Sequence, residues 1–95
     1  MDQKENLDHQ KLEQILQKDL YNRLIGKKQT ERVEYLHEIV DCLKGAYKDE
    51  GINRWFHRKR VELGGKSPLE YLGQDWKPED KKAKEVLELA RYLIG

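Results

Sequence analysis

The sequence has few of the residues that commonly cross-link a small protein, fill its core or restrict its backbone. Among its 95 residues it contains one cysteine, one phenylalanine and two prolines. The single cysteine, Cys42, excludes an internal disulfide and is typical of a reducing compartment, so we expect a cytoplasmic location. No apolar run approaches the ~20 residues that a membrane span needs. The polar N-terminus has no leader pattern, and we expect no membrane association.

The sequence also lacks a large excess of positive or negative charge. The chain carries 19 lysines and arginines against 18 acidic residues, for a net charge of +1. This balance gives no overall attraction to nucleic acid or anionic lipid. Charged residues make up 39% of the chain, compared with about 25% in an average domain. We therefore expect one small domain with solvated helical faces, or a domain that a partner completes.

The apolar residues that remain recur at steps of three and four, which predicts an all-α fold. No segment alternates with the period of a strand. We expect about five helices: two long N-terminal helices, a short aromatic helix, a Gly-Gly bend, a short capped helix and a long C-terminal helix. Their approximate bounds are 8–25, 31–48, 49–56, 68–72 and 78 onward. We expect residues 1–48 to form a helical pair that packs as one domain with residues 49–95.

The inner face of the last helix is predicted by its small and aliphatic residues. Pro78 fits the first helical position, and the acids after it favour a helix N-terminus. The predicted inner face consists of Ala83, Val86, Leu87, Ala90, Leu93 and Ile94.

The segment from residue 51 to residue 72 contains the most distinctive local signals. Trp55 and Phe56 end a short helix, where aromatic side chains most often serve as core contacts. The two glycines of Leu63-Gly64-Gly65-Lys66 predict a turn. Ser67 then caps a new helix, Pro68 occupies its first position and Glu70 completes a capping box.

A dense basic group surrounds these aromatic residues. It consists of Arg54, Arg58, Lys59, Arg60 and Lys66. Three interpretations stay open: a solvated face, a contact for acidic groups of a protein partner, and a site for nucleic-acid phosphates with base stacking. Tyr71 and Trp76 are candidate aromatic contacts beside this group.

The sequence offers little for catalysis or metal binding. It has no phosphate-binding glycine loop, no Cys-x-x-Cys and no His-Glu-x-x-His. His37 and Cys42 are five residues apart and do not share a helical face, so Cys42 is expected at the edge of the core. Glu34, His37, Glu38 and Asp41 share one face, which favours a solvated polar surface over a metal site. We expect no catalytic residues, no metal and no cofactor.

The pattern Gly51-x-x-x-Trp55-Phe56, followed by Leu63-Gly64-Gly65-x-Ser67-Pro68-x-x-x-Leu72, resembles a known family. It is similar to the C-terminal toxin-binding domain of Xre/MbcA/ParS-type bacterial antitoxins, over about Asp49 to Gly95. The resemblance implies a non-catalytic module that neutralises a RES-type, NAD-consuming toxin by covering the entrance to its active site. It also implies that the bend and the capped helix shape the docking surface.

Combined with the basic group, the resemblance defines a set of candidate partner-binding residues. They are Arg54, Arg58, Arg60, Leu63, Gly64, Gly65, Lys66, Ser67, Pro68, Tyr71 and Trp76. Longer relatives carry an N-terminal helix-turn-helix, whereas residues 1–48 here indicate two long helices, so operator binding is not expected. Residues 74–79 also make a longer connection than the family usually has.

Two other functions remain open at the level of sequence. One is a small nucleic-acid-binding regulator that uses the basic group or a helix pair. The other is a self-associating helical protein in which the first helix pairs across a homodimer.

Overall fold

Helices account for nearly all regular structure. A computed structural model describes residues 10–26 and 29–92. Its α-helices are α1 (Lys18–Ile25), α2 (Gln29–Lys44), α3 (Asp49–His57), α4 (Pro68–Leu72) and α5 (Lys81–Tyr92), with a 3₁₀ helix at Val61–Leu63. Residues 10–15 are also helical. The described residues contain no strand, only an isolated antiparallel bridge between Arg60 and Lys66. The all-α prediction is confirmed.

Helix α2 lies at the centre of the molecule. It packs against α1, α3 and α5, while α4 packs against α3 and α5. Steps of three and four residues give α2 a wide apolar face. The fully buried side chains of that face are Val33, Leu36, Ile39, Val40 and Leu43.

One hydrophobic core joins residues from both halves of the chain. Leu12 and Leu24 come from the N-terminal part, and Trp55, Leu69 and Ala83 come from the part after residue 48. Contiguous burial of this kind is typical of a single core. The N-terminal helices and the described residues after residue 48 therefore share one core.

The prediction of one long first helix is wrong. The helical segment 10–15 is followed by a bend at Leu16. Gln17 is extended, with φ −62° and ψ 148°, and α1 starts after it. Buried Asn53 of α3 bonds the backbone at this break. Its Oδ1 accepts the Gln17 N–H at 2.7 Å and its Nδ2 donates to the Ile15 carbonyl at 2.9 Å. A tertiary contact thus replaces two helical hydrogen bonds, while Leu12, Leu16 and Leu20 stay buried.

Several predicted helix ends also shift. Helix α2 begins at Gln29 and ends at Lys44, and Gly45 lies in a turn instead of inside the helix. Helix α5 begins at Lys81, three residues after Pro78. The residues before it form a turn in which the Asp80 carboxylate accepts the Lys77 N–H at 2.9 Å.

The predicted inner face of α5 is correct where the structure describes it. Ala83, Val86, Leu87 and Ala90 are buried. Leu93 and Ile94 lie outside the described residues.

Candidate functional site

Residues 58–66, here named the bend loop, form a compact turn between α3 and α4. The backbone N–H groups of Arg60, Leu63, Gly64, Gly65 and Lys66 each donate to a carbonyl within the loop, at 2.8–3.3 Å. Gly64 and Gly65 have φ values of +69° and +84°, a region that glycine adopts at little cost. The predicted Gly-Gly turn is confirmed, and its backbone is held in place by its own hydrogen bonds.

Two side chains of the bend loop, those of Arg60 and Leu63, are not fully exposed. Leu63 is buried. The guanidinium carbon of Arg60 lies 5.1 Å from the centre of the Trp55 ring, a cation–π contact. Trp55 and Phe56 pack edge to face, with ring centres 5.1 Å apart, and both are buried. The expectation that these two aromatic residues belong to the core is confirmed.

The predicted capping box at the start of α4 is also confirmed. The Glu70 N–H donates to the Ser67 hydroxyl at 3.2 Å, and the Ser67 N–H donates to the Glu70 carboxylate at 3.0 Å. Pro68 lies in the first turn of the helix. The reciprocal bonds satisfy two N–H groups that a helix start leaves open, so the junction between the bend loop and α4 is well defined.

Basic side chains form the rim of this region. Arg54, Arg58, Lys59 and Lys66 are exposed. The pKa of Glu70 is lowered, first by the hydrogen bond from the Ser67 backbone and also by the charges of Lys59 and Lys66. The charges of Lys59 and Lys66 therefore act on a carboxylate in the first turn of α4.

An apolar residue projects from the same loop. Val61 is 92% exposed, and the only other large hydrophobic side chain exposed in the described part of the chain is Tyr92. An isolated exposed valine is ordinary on a protein surface. Its place in the bend loop, next to Arg60 in the chain, makes it a candidate contact with a partner.

The predicted site residues divide by accessibility. Those exposed are Arg54, Arg58, Gly64, Gly65 and Lys66, and those half-buried are Arg60 and Tyr71. Leu63, Ser67, Pro68 and Trp76 are buried. The bend loop and the start of α4 bring most of the set together. Its buried members shape the surface and do not form it.

Tyr71 lies at the edge of this surface and is held by α5. Its hydroxyl donates to the Glu85 carboxylate, and this bond is the main cause that raises its pKa. The Lys82 ammonium lies 5.5 Å from the centre of the Tyr71 ring. These contacts fix the tyrosine against α5, with part of the side chain left accessible.

Trp76 is a core residue, which corrects its assignment as a surface aromatic contact. It is 2% exposed, and its indole N–H donates to the Leu24 carbonyl at 2.9 Å. Its ring packs near Tyr35, with centres 6.1 Å apart. The polar loop around Trp76 suggested exposure, but the indole fills the space beside the end of α1.

A buried charged residue, Arg32, is central to the described hydrogen bonds, although no pattern in the sequence indicated it. It is 2% exposed, and burial lowers its pKa while the charge of Asp75 acts in the opposite direction. Its guanidinium donates five hydrogen bonds, at 2.7–3.2 Å, to the backbone carbonyls of Leu24, Ile25, Gln74 and Trp76. Arg32 thus fastens the end of α1 to the loop before α5.

An open cleft of about 720 Å³ lies beside this arginine, between the end of α1 and the end of α4. Its lining includes the charged side chains of Arg23, Glu70 and Asp75. The Arg32 guanidinium also lines the cleft, but its five hydrogen bonds to carbonyls use all of its N–H donors. The walls thus carry both signs of charge, and the buried cation beside them has no free donor for a ligand.

The exposed face of α2 is acidic. Glu31, Glu34, Glu38 and Asp41 are exposed along it, at steps of three and four residues. Two of these acids have basic neighbours: Glu38 pairs with Arg91 at 2.7 Å and Asp41 lies 3.4 Å from His37. Within residues 10–26 and 29–92, no group of three or more potential ligands is placed to hold a metal.

The described helices do not include one with the length and apolar character required to cross a bilayer. Comparisons with protein-family models, curated proteins and solved structures give no match for this chain. Functional inference therefore depends on the surface itself.

Proposed function

We propose that this protein is a non-catalytic protein-binding module, and that it contacts its partner through the bend loop and Arg54. The observation that carries the proposal is an exposed basic rim on a backbone fixed by five internal hydrogen bonds. A surface that is already ordered loses less conformational entropy on binding than a mobile loop. The capping box extends that order into α4.

The charges of the rim favour a partner surface that carries carboxylates. Arginine and lysine side chains complement acidic groups and accelerate association. Val61, at 92% exposure, would enter an apolar depression in the partner. A central apolar contact within a polar rim is the usual anatomy of a protein interface.

The resemblance to antitoxin domains supports a specific partner, a RES-type toxin that consumes NAD. In support, the aromatic pair, the glycine bend and the capped helix follow one another as the resemblance requires. On this proposal the bend loop and α4 cover the entrance to the toxin's active site. No catalytic step is assigned to this chain.

Nucleic-acid binding is the less favoured alternative. The helix pair available for it is α1 and α2, and the exposed acids of α2 would face the phosphates and repel them. Self-association through the first helix is also disfavoured. Its apolar side chains Leu12, Leu16, Leu20 and Leu24 are already buried within one chain.

Co-expression with the product of the neighbouring gene tests the proposal. We expect that product to be a RES-type protein, to co-purify with this chain and to stop depleting cellular NAD when this chain is present. A RES-type neighbour that neither co-purifies nor loses activity would contradict the proposal. A salt-sensitive shift of duplex DNA by the purified protein would instead support the regulator.

A further inference from the structure

The Arg60–Trp55 contact contains hydrogen-bond donors without acceptors. In the described residues, four buried side-chain atoms lack a hydrogen-bond partner: Arg60 Nε, Arg60 Nη2, Trp55 Nε1 and Tyr35 Oη. Three of the four belong to this one pair. Buried donors without partners are uncommon, and each one needs an explanation.

The two tryptophans of the chain differ in whether the indole N–H has a hydrogen-bond acceptor. Trp76 donates its N–H to the Leu24 carbonyl at 2.9 Å, whereas the Trp55 N–H has no acceptor although the residue is only 2% exposed. Arg60 differs from Arg32 in the same way, because Arg32 satisfies all of its donors with carbonyls. Two buried side chains of the same types thus have acceptors for their donors, whereas three of the four unsatisfied atoms in the described residues lie in the Arg60–Trp55 contact.

We propose that Arg60 and Trp55 together receive a carboxylate from an acidic side chain of the partner. This inference rests on the proposed function and names the group that the bend loop recognises. The Nε and Nη2 edge of a guanidinium matches the two oxygens of a carboxylate. The indole N–H adds a third donor. An anion at this point meets both the charge of Arg60 and the open hydrogen bonds.

The three donor atoms are buried, so a carboxylate reaches them only if a side chain moves. The backbone of Arg60 is fixed, because its N–H donates to Lys66 and its carbonyl accepts from Leu63 and Gly65. The side chain itself is half-buried and contacts the Trp55 ring. Binding therefore requires the Arg60 side chain to rotate about its own bonds, so that its guanidinium edge and the indole N–H reach the same carboxylate. Hydrogen bonds to a carboxylate replace the cation–π contact, and they are the stronger interaction.

Nuclear magnetic resonance of the full chain tests this site without the partner. The probe is sodium acetate, added at constant ionic strength against chloride, and the readout is the pair of indole N–H signals. We expect the Trp55 signal to shift downfield and saturate, because its N–H gains an acceptor. The Trp76 signal is the internal reference, since its N–H is already bonded.

Two conservative variants separate the fork of Arg60 from charge alone. Arg60→Lys keeps the charge and removes the planar fork, and we expect acetate to bind about tenfold more weakly, as the loss of a charge-assisted hydrogen bond predicts. Arg23→Lys makes the same change at an exposed arginine of α1, outside the bend loop, and we expect this variant to bind acetate as the unmodified protein does.

Other results would overturn the inference. An unmoved Trp55 signal, or equal shifts of both indoles, means that the pair does not receive an anion. Equal affinity in the Arg60→Lys variant excludes recognition by the fork. Tighter binding of inorganic phosphate than of acetate contradicts a carboxylate site. A specific acetate shift in a protein that binds no toxin would leave the site standing and refute only the toxin as partner.

Discussion

At the scale of single residues, the Arg32 side chain joins two segments of backbone that lie far apart in the sequence. Its hydrogen bonds reach carbonyls at the end of α1 and in the loop at residues 74–76. The end of a helix carries a partial negative charge, which stabilises a nearby cation. Gly26 makes room for this arrangement, because a Cβ there would lie 2.8 Å from Arg32 Nη1.

Replacement of Arg32 by lysine tests this role. A lysine has three donors on a single nitrogen and cannot reach four carbonyls in two segments. We expect Arg32→Lys to lower the free energy of unfolding by about 3 kcal/mol, since buried carbonyls lose their partners. Urea unfolding measures the change. Arg23→Lys, at an exposed position, should alter stability little, and similar losses in both variants would refute the assignment.

Asn53 has a comparable role at the break before α1. Its side chain donates to the Ile15 and Asp49 carbonyls and accepts the Gln17 N–H. We expect Asn53→Ala to cost about 2 kcal/mol of stability, because three buried hydrogen bonds are lost. Thermal and urea unfolding provide the measurement. The control is Asn22→Ala on the exposed side of α1, and a loss no greater than in that control would count against Asn53.

The sequence could not indicate either residue. The hydrogen-bond partners of Arg32 include Trp76, which is 44 positions away, and Asn53 bonds residues 36 and 38 positions away. Periodicity and capping rules use only near neighbours in the chain. Both residues therefore look like ordinary polar positions until the fold is known.

At the scale of elements, the start of α4 shows what local signals do predict. Ser67, Pro68 and Glu70 lie within four positions, and the capping box they form needs no distant partner. The first helix is the opposite case. Its apolar period runs through Gln17 without interruption, but hydrogen bonds from α3 make a break there favourable. Local rules predicted the α4 start and missed that break because its cause is tertiary.

The capping box makes stability depend on pH. The pKa of Glu70 lies below its ordinary value of 4.5, chiefly because the carboxylate accepts the Ser67 backbone N–H. Because the Glu70 pKa is lower in the folded protein than in the unfolded chain, the ionised carboxylate stabilises the fold at pH values above 4.5. This stabilisation is lost as the pH falls through the folded-state pKa. We expect the protein to melt above its Glu70→Gln variant at pH 7, with the difference shrinking below about pH 4.5.

The matched control for this pH effect is Glu62→Gln, at an exposed glutamate outside the capping box. Melting curves of the three proteins across the acid range provide the comparison. A gap between the unmodified protein and Glu70→Gln that stays constant down to pH 3 would show that the capping carboxylate is not the titrating group.

The bend loop depends on the conformation of Gly64. Its φ of 69° and ψ of 27° are left-handed, and a Cβ there would meet nothing within 4 Å. The cost of substitution is therefore conformational and not steric crowding by neighbours. We expect Gly64→Val to lose about 2 kcal/mol of stability and to weaken partner binding, because β-branched residues resist this region.

Gly64→Asn is the matched variant, since asparagine enters the left-handed region more readily. We expect it to fold and bind almost as the unmodified protein does. Urea unfolding and a binding titration should be run on both variants. If valine and asparagine behaved alike, the left-handed turn would not determine the shape of the loop.

At the scale of the whole molecule, charge is distributed unevenly despite a net value of +1. The exposed acids of α2 form one region, and the exposed cations of the bend loop form another. Nearly all large apolar side chains in the described residues are used for the core, and Val61 and Tyr92 are the exposed exceptions. The composition predicted solvated helical faces, but only the fold shows which charges lie together.

The helical class and the glycine bend were predictable because their signals repeat along the chain or lie close together. The accessibility of the candidate site residues was not predictable from the sequence, as Trp76 illustrates. Its neighbours Gln74, Asp75 and Lys77 are polar, so the sequence indicated a surface loop. Burial of the indole against α1 depends on packing between residues about 50 positions apart. A local sequence pattern cannot indicate such a contact.

The most direct measurement is a calorimetric titration of the RES-type partner into two charge-reversed double variants. Arg58→Glu with Lys66→Glu changes the rim, and Lys44→Glu with Lys84→Glu makes the same change in charge at exposed residues of α2 and α5. We expect at least about tenfold weaker binding for the rim variant, with unchanged helicity, and little change in affinity for the other variant. Equal affinities for both variants would contradict the bend loop as the binding surface.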